Sequence, residues 1–449
     1  MIRLLTGILS CLAIFSACSS PDNLVTDGHS DYKIVVSEEA LPSEKYAAEE
    51  LQHYIEKISN SKLAIIEKAD EQEKLIYVGF KGVPANVLKD LKPDEFENEE
   101  YIIRGDKDHL LIAGGGSRGT LYGVMGFLSD HLGCRWYTKA VTKIPSLSSI
   151  PLPQREDRQK PALEYRNMNW REMLDTSWVL HNRVNGMRVG NALGGSYITY
   201  PFVHTFYQLV SPEKYFRSYP EYFSEVNGKR LGEKAQLCLT NPDVVKIATA
   251  TVYDWIREQP EANVFSIDQN DYGNYCTCVN CRAIDEKEGS PSGSIITFVN
   301  RIADAIHQDY PEVKLQTLAY DYSVDPPKNV RPRENVMIRL CHYQYCSSHP
   351  IAVCEVNRPF YNQLKEWEKI AGGRLTIWDY LTDFRNYLMP FPNFGSFSQD
   401  VKFYADNGVK GLFNEGDAMG GGEFGELRSW VLAQLMWNPS QNAQQLIDV

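Results

Sequence analysis

Positive charge is in short supply in this 449-residue sequence, with 46 Lys and Arg against 58 Asp and Glu and a net charge of −12. A nucleic-acid partner would want a basic face, so the balance argues against that class and against broad attraction to anionic lipid. The glycine-rich stretch "GGGSRGT" (114–120) lacks both the Lys-Ser/Thr ending of a phosphate loop and the GxGxxG spacing of a dinucleotide fold, so it reads as a tight strand-to-helix turn. No HxH or HxxxH pair surrounds His204, which argues against a histidine-based metal centre. Past the first twenty residues no apolar run approaches the roughly 18 residues of a membrane span. Internal repeats and low-complexity tracts are absent as well.

The N-terminus sets the compartment. "MIRLLTGILSCLAIFSACSS" has one basic residue, an apolar run of signal-peptide length and small residues before Cys18. The "FSAC" junction resembles a bacterial lipobox, the alternative being an ordinary cleaved signal with an incidental cysteine. Residues 1–17 are therefore expected to be a signal peptide, with lipid carried on Cys18 and residues 18–30 as a polar tether. The expected location is the outer membrane or cell surface of the bacterium, or its periplasm. Eight cysteines remain after Cys11 and Cys18. An even count in an oxidising compartment permits disulfides. Cys276, Cys278 and Cys281 crowd into six residues of "VFSIDQNDYGNYCTCVNC" (264–281) and offer three ligands where a structural zinc wants four, the fourth to come from Cys238 or from the Cys341, Cys346 and Cys354 group. On compartment, disulfides are the expectation and zinc the alternative; either would staple the loop.

Residues 31–153 read as a small α/β domain, with "PSEKYAAEELQHYIEKIS" an amphipathic helix among short strands. A Pro- and Ser-rich stretch (144–161) reads as a linker. From about residue 160 to 449, short β-rich runs alternate with long helical ones, which specifies parallel strands and fits a (β/α)8 barrel of TIM type, with a doubly wound open sheet as the alternative. The eight expected strands are 163–169, 196–204, 235–240, 263–269, 314–320, 335–343, 374–380 and 410–416. Asn241 and Pro242 mark a helix start between the third and fourth.

Barrel enzymes gather their chemistry at the C-terminal strand ends. Here those ends carry Trp170, His204, Asp268 with Asn270 and Asp271, Tyr320, His342, Trp378 with Asp379 and Tyr380, and Asn414 with Glu415. Glycoside hydrolysis needs such a rim: one carboxylic acid to protonate the leaving oxygen, a second carboxylate opposite, rings to hold sugars and amides to read hydroxyls. It needs no cofactor, and the partner it implies is a glycan. Asp268 and Asp379 suit arginine pairing as well, and Trp378 suits barrel packing. His204 reads as a substrate contact.

The stretches "GTLYGVMGFLSDHLGCRWY", "HTFYQLVSPEKYFRSYPEYFS", "QLCLTNPDV", "QNDYGNYCTCVNCRAIDEKEGS", "LAYDYSVDPPKNVRPRENVMIRLC" and "IWDYLTDFRNYLMPFPN" follow in order over most of residues 110–440. Together they resemble the family known as domain of unknown function 4838, part of which is glycoside hydrolase family 163. The first stretch also resembles the small domain preceding the barrel in α-glucuronidases and β-hexosaminidases. The resemblance implies a retaining endo-β-N-acetylglucosaminidase acting on complex N-glycans, assisted by the substrate's own acetamido group. By position it assigns Asp271 as acid and Asn270 as the group orienting the acetamido nitrogen, with Glu415 a further catalytic candidate. Two departures stand out. The family pattern carries Glu directly after the Phe of the eighth strand, where this chain has Asn414. Relatives also continue beyond the last barrel helix, which leaves a C-terminal truncation open. The alternatives are an exo-glycosidase of α-glucuronidase or hexosaminidase type and a surface glycan-binding protein without catalysis.

Overall fold

The computed structural model of the chain describes residues 22–449 apart from 69–72, 107, 187–190 and 420. The expected signal peptide and Cys18 lie outside the described residues. The expected tether is shorter than its sequence suggests. Asn23–Val25 pairs antiparallel with Ile150–Pro151, and Leu24 and Val25 are buried. Apolar side chains at 24 and 25 explain why this stretch folds back instead of hanging free. No described helix is long and apolar enough to cross a membrane.

The N-terminal unit is a six-stranded mixed sheet in the order 157–159, 101–105, 109–114, 75–78, 33–35, 65–66. Its edge strand, Asp157–Gln159, comes from the stretch expected to be a linker and pairs antiparallel with Tyr101–Ile103. The predicted helix is found at Pro42–Ser59, with Ala47, Ala48, Leu51, Tyr54, Ile55 and Ile58 buried along one face. The glycine turn ends the His109–Gly114 strand and opens the Gly119–Gly126 helix. A Cβ at Gly126 would lie 2.3 Å from the Tyr101 hydroxyl, so close helix-to-sheet packing fixes that glycine.

The second unit holds seven strands, all parallel, in the order Tyr165–Met168, Val409–Glu415, Leu375–Tyr380, Val336–His342, Lys314–Ala319, Val264–Ser266, Thr199–Tyr200. Helices Pro242–Glu258, Ser292–Asp309, Arg358–Ala371, Phe397–Asp406 and Gly425–Trp437 pack on its outside, burying residues such as Ile302, Trp367 and Leu432. Asn241 caps its helix as expected, its side chain accepting from the Asp243 and Val244 N–H groups. One expected strand is absent from the sheet. Residues 235–240 instead fold against 222–224, with Ser224 N–H bonded to Gln236 O and Cys238 N–H to Tyr222 O. Their backbone is spent there, so Thr199–Tyr200 pairs directly with Val264–Phe265. The two edges of the sheet are linked through an unforeseen residue pair. Gly186 N–H bonds Arg166 O, and Tyr197 N–H bonds Asn185 O. A Cβ at Gly186 would fall 2.0 Å from the Asn167 side chain, so only glycine permits this approach.

Inside the curl lie a buried arginine and a buried carboxyl. Arg339 is fully buried, its guanidinium 5.3–5.8 Å from the ring centres of Phe202, Tyr165 and Trp378. Asp268, also fully buried, has the Ser266 side chain and the Leu318 backbone as polar neighbours. Burial pushes its carboxyl up to about 7, and attraction to Arg339 limits the rise.

The two units share core. Trp437, on the last long helix, is buried in the N-terminal cluster, with its ring 5.8 Å from that of Tyr101 and 5.7 Å from that of Tyr122. The guanidinium groups of Arg166 and Arg183 lie 5.4 and 4.7 Å from its ring. Arg166 also pairs with buried Glu99 at 2.8 Å. Trp437→Ala is expected to cost about 3–5 kcal/mol, the usual range for emptying a buried tryptophan site, read as a lower midpoint in denaturant. Asp268 gives a pH test. Its pKa is higher folded than unfolded, so its contribution to stability falls as pH rises from the ordinary carboxylate range to about 7 and is level above that. The stability of Asp268→Asn relative to wild type should therefore climb over that window, by at most about 1.4 kcal/mol per pH unit, and flatten beyond it.

Candidate active site

A cavity of about 390 Å³ opens at the C-terminal ends of the parallel strands. Val203, His204, Asp271, Leu318, Tyr320, Cys341, Tyr343, Trp378, Tyr380, Phe384 and Glu415 line it. Asp271 follows the 264–266 strand and Glu415 ends the 409–415 strand, four places away in the sheet. Both reach one cavity because the sheet curls around it.

Strand alternation decides which residues arrive. Trp378 and Tyr380 point inward, as do Cys341 and Tyr343 on the neighbouring strand and Phe413 and Glu415 on the next. Each carboxylate on the wall has a donor. The Tyr320 hydroxyl donates to Asp271 Oδ1 at 3.1 Å, and the Trp378 indole N–H donates to Glu415 Oε2 at 2.7 Å. Burial first, and then Asp271, raises the Tyr320 phenol well above its usual range, so it stays a donor. Burial does the same to the Cys341 thiol, which is a protonated wall and not a nucleophile. His204 sits in the left-handed region at φ +55°, and its Nδ1 lies 2.7 Å from Gln269 O. A carbonyl only accepts, so Nδ1 carries a proton and Nε2 is the ring nitrogen left uncommitted by this bond.

Of the "DQND" acids and amides, only Asp271 lines the cavity. Asp268 lies buried beside Arg339, as described. Asn270, expected to orient an acetamido group, has both ends of its side chain committed: Nδ2 donates to Ala235 O at 2.8 Å, and Oδ1 accepts from Tyr207 N–H at 3.3 Å. Gln236 then binds Asn270 N–H and the Asn270 and Tyr272 carbonyls, so the segment excluded from the sheet positions the Asp271 loop.

Other expected rim residues lie elsewhere. His342 and Asp379 occupy outward positions of their strands, where His342 Nδ1–H donates to Asp379 Oδ1 at 2.9 Å and the Tyr404 hydroxyl donates to Oδ2 at 3.1 Å. They tie sheet to helix behind the cavity. Asn414, between inward Phe413 and Glu415, is buried against Met436, its Nδ2 3.4 Å from the sulfur. The position directly after Phe413 is therefore outward-facing here. Trp170 is buried against Gly416 and Gly422, where any Cβ would strike its ring. Tyr343 and Phe384 are the wall aromatics absent from the sequence-based set. Tyr343 packs between Tyr320 and Tyr380 with its ring tilted to both, ring centres 5.1 and 5.5 Å away. Its two-residue offset from inward Cys341 was the signal that could have found it. None of the eight described cysteines is disulfide-bonded, contrary to the expectation for Cys276, Cys278 and Cys281.

A family model described as glycosyl hydrolase family 67 N-terminus matches residues 24–127. Among solved structures, one described as a novel family GH115 4-O-methyl-α-glucuronidase with specificity for decorated arabinogalactans covers 92% of this chain at a TM-score of 0.57 and 12% identity. The chain spans 57% of that protein's length, and at this identity the likeness is one of fold. The comparison with curated proteins gives no match. The family 67 match thus falls on the small N-terminal sheet, and the parallel sheet that follows shares its fold with that solved structure. The family model described as domain of unknown function (DUF4838) matches residues 136–449, well over half of the chain, and the chain belongs to that family.

Proposed function

We propose that the chain is a glycoside hydrolase that removes a terminal, uncharged sugar, with Asp271 and Glu415 as its two working carboxylates. The observation that carries this reading is that both acids line one aromatic-walled cavity at the C-terminal strand ends, each held by a donor from that same wall. Asp271 is the more exposed of the two, so it can be reprotonated from solvent between turnovers and serves as the acid for the leaving oxygen. Glu415, fixed by the Trp378 indole, serves as the carboxylate that attacks the anomeric carbon or activates water. Tyr320, Tyr343, Trp378 and Tyr380 offer ring faces to the sugar.

Two features support an exo-acting enzyme on a neutral sugar. The cavity volume suits one sugar and part of its leaving group. Among its described lining residues none is Lys or Arg, so two acids and a histidine would meet a uronate's carboxylate. An acetamido sugar meets no such repulsion, which favours the hexosaminidase-type reading over the glucuronidase type. The finer endo-β-N-acetylglucosaminidase reading, with acetamido assistance, asks for an orienting amide, and Asn270 has no free end to give. Lipid attachment at Cys18 completes the proposal as a tether to the bacterial surface.

Asp271→Asn and Glu415→Gln are each expected to lower kcat on aryl glycosides by about 10²- to 10⁴-fold, the span of general acid–base catalysis, with unchanged melting temperature. Full activity in either variant would remove that residue from the mechanism. A panel of aryl glycosides should show turnover of a neutral or N-acetylated sugar and little of a glucuronide. Release of intact glycans from complex N-glycoproteins, without turnover of aryl glycosides, would favour the endo reading. Saturable glycan binding with no turnover would leave a binding protein.

A further inference from the structure

We infer that Cys238, Cys276, Cys278 and Cys281 form a structural zinc site that braces the Asp271 loop. The sequence offers only three of these ligands together, and the fold supplies the fourth. Residues 235–240, turned away from the sheet, bring Cys238 onto the C-x-C-x2-C run. All four sulfurs lie within 4.8 Å of one another, and all four residues are buried in a cluster of their own.

Three observations favour one metal ion over two disulfides. The first is spacing. A Zn–S bond of about 2.3 Å in tetrahedral geometry puts neighbouring sulfurs about 3.8 Å apart. Cys238 Sγ is 3.8 Å from Cys278 Sγ and 4.0 Å from Cys281 Sγ, so one sulfur is near-equidistant from two others. A disulfide would bring one of these pairs to about 2.05 Å and exclude the other. The second is hydrogen bonding. Thiolate ligands of a metal are held by outer donors. Here the Glu225 N–H donates to Cys276 Sγ at 3.3 Å, the Thr240 hydroxyl is 3.2 Å from Cys281 Sγ, and Arg230 Nη1 is 3.9 Å from Cys276 Sγ. Four thiolates around a divalent ion carry a net −2, and the guanidinium offsets part of it. The third is shielding. Each of the four is less than a tenth exposed, out of reach of the oxidants of an exported compartment. Thiolate sulfur in this geometry selects zinc or iron, and the sulfurs stand too close to enclose a four-iron cluster.

The site's place in the fold gives it a purpose. Cys238 lies two residues from Gln236, which grips the Asn270–Tyr272 backbone. Cys276 lies five residues past Asp271, and Thr277 is bonded to Glu225 O through both its N–H and its hydroxyl. The metal would thus join the two segments that set where the Asp271 carboxylate stands. The inference does not depend on the proposed sugar chemistry, because metal content is read directly.

The test uses the full chain, purified without chelator. Elemental analysis is expected to show one zinc per chain, and peptide mapping to show these four cysteines as unlinked thiols. Cobalt loading of the zinc-stripped protein should give thiolate-to-cobalt charge-transfer absorption. The double variant Cys278→Ser/Cys281→Ser should lose the zinc, while Cys346→Ser, in the separate Cys346–His349–Cys354 group, should keep it. Chelation should lower the melting temperature of the wild-type protein. Wild-type protein with disulfides among these four residues and no metal would overturn the inference, as would zinc that departs with Cys346→Ser and stays in the double variant. Both readouts hold even where the double variant fails to fold, because the wild-type metal content and peptide map decide alone.

Discussion

The two-residue alternation of a β-strand governs this site more than any single bond does. Along the Leu375–Tyr380 strand, Trp378 and Tyr380 face the cavity, while Asp379 between them faces the helices. The same rule sends Glu415 inward and Asn414 outward. A polar strand end therefore holds two populations of groups. One meets substrate; the other anchors the sheet to its helical coat. His342, Asp379 and Tyr404 belong to the second, and their hydrogen bonds satisfy polar atoms that would otherwise be stranded between layers.

Much of the fold was legible in the sequence because most of its elements are long and periodic. The helix at 42–59 is found within the expected stretch, and the strands at 314–319, 336–342, 375–380 and 409–415 fall where their β-rich runs place them. The failures share a cause. Residues 235–240 look like a strand, and their backbone does pair, but with 222–224, a choice of partner that local pattern does not encode. The true link between the sheet edges, Asn185–Gly186, is too short to show any periodicity. Its only trace is a glycine, whose need appears once Asn167 is seen beside it.

At the site, residue types were legible and orientations only partly so. The sequence places acids, amides and aromatics at one end of the sheet. Choosing among Asp268, Asn270 and Asp271 requires knowing that the chain leaves the strand after Ser266, so that simple alternation no longer applies. Asp268 then ends beneath the cavity beside Arg339, and the loop residue Asp271 reaches it. Trp170 misled for a related reason. It follows a strand end, yet three glycines of the 416–425 loop close over it. A large ring beside small residues reads as packing only when the distant small residues are known.

The seat of Trp437 bears on the order in which the molecule can be made. Ribosomes deliver residues 24–159 first, and domains generally fold as they emerge. Here the N-terminal core keeps a place for a ring nearly three hundred residues further along the chain. Until that ring arrives, the surfaces of Tyr101 and Tyr122 that receive it stay uncovered. The small domain's core is thus complete only once the helix that carries Trp437 has docked against it.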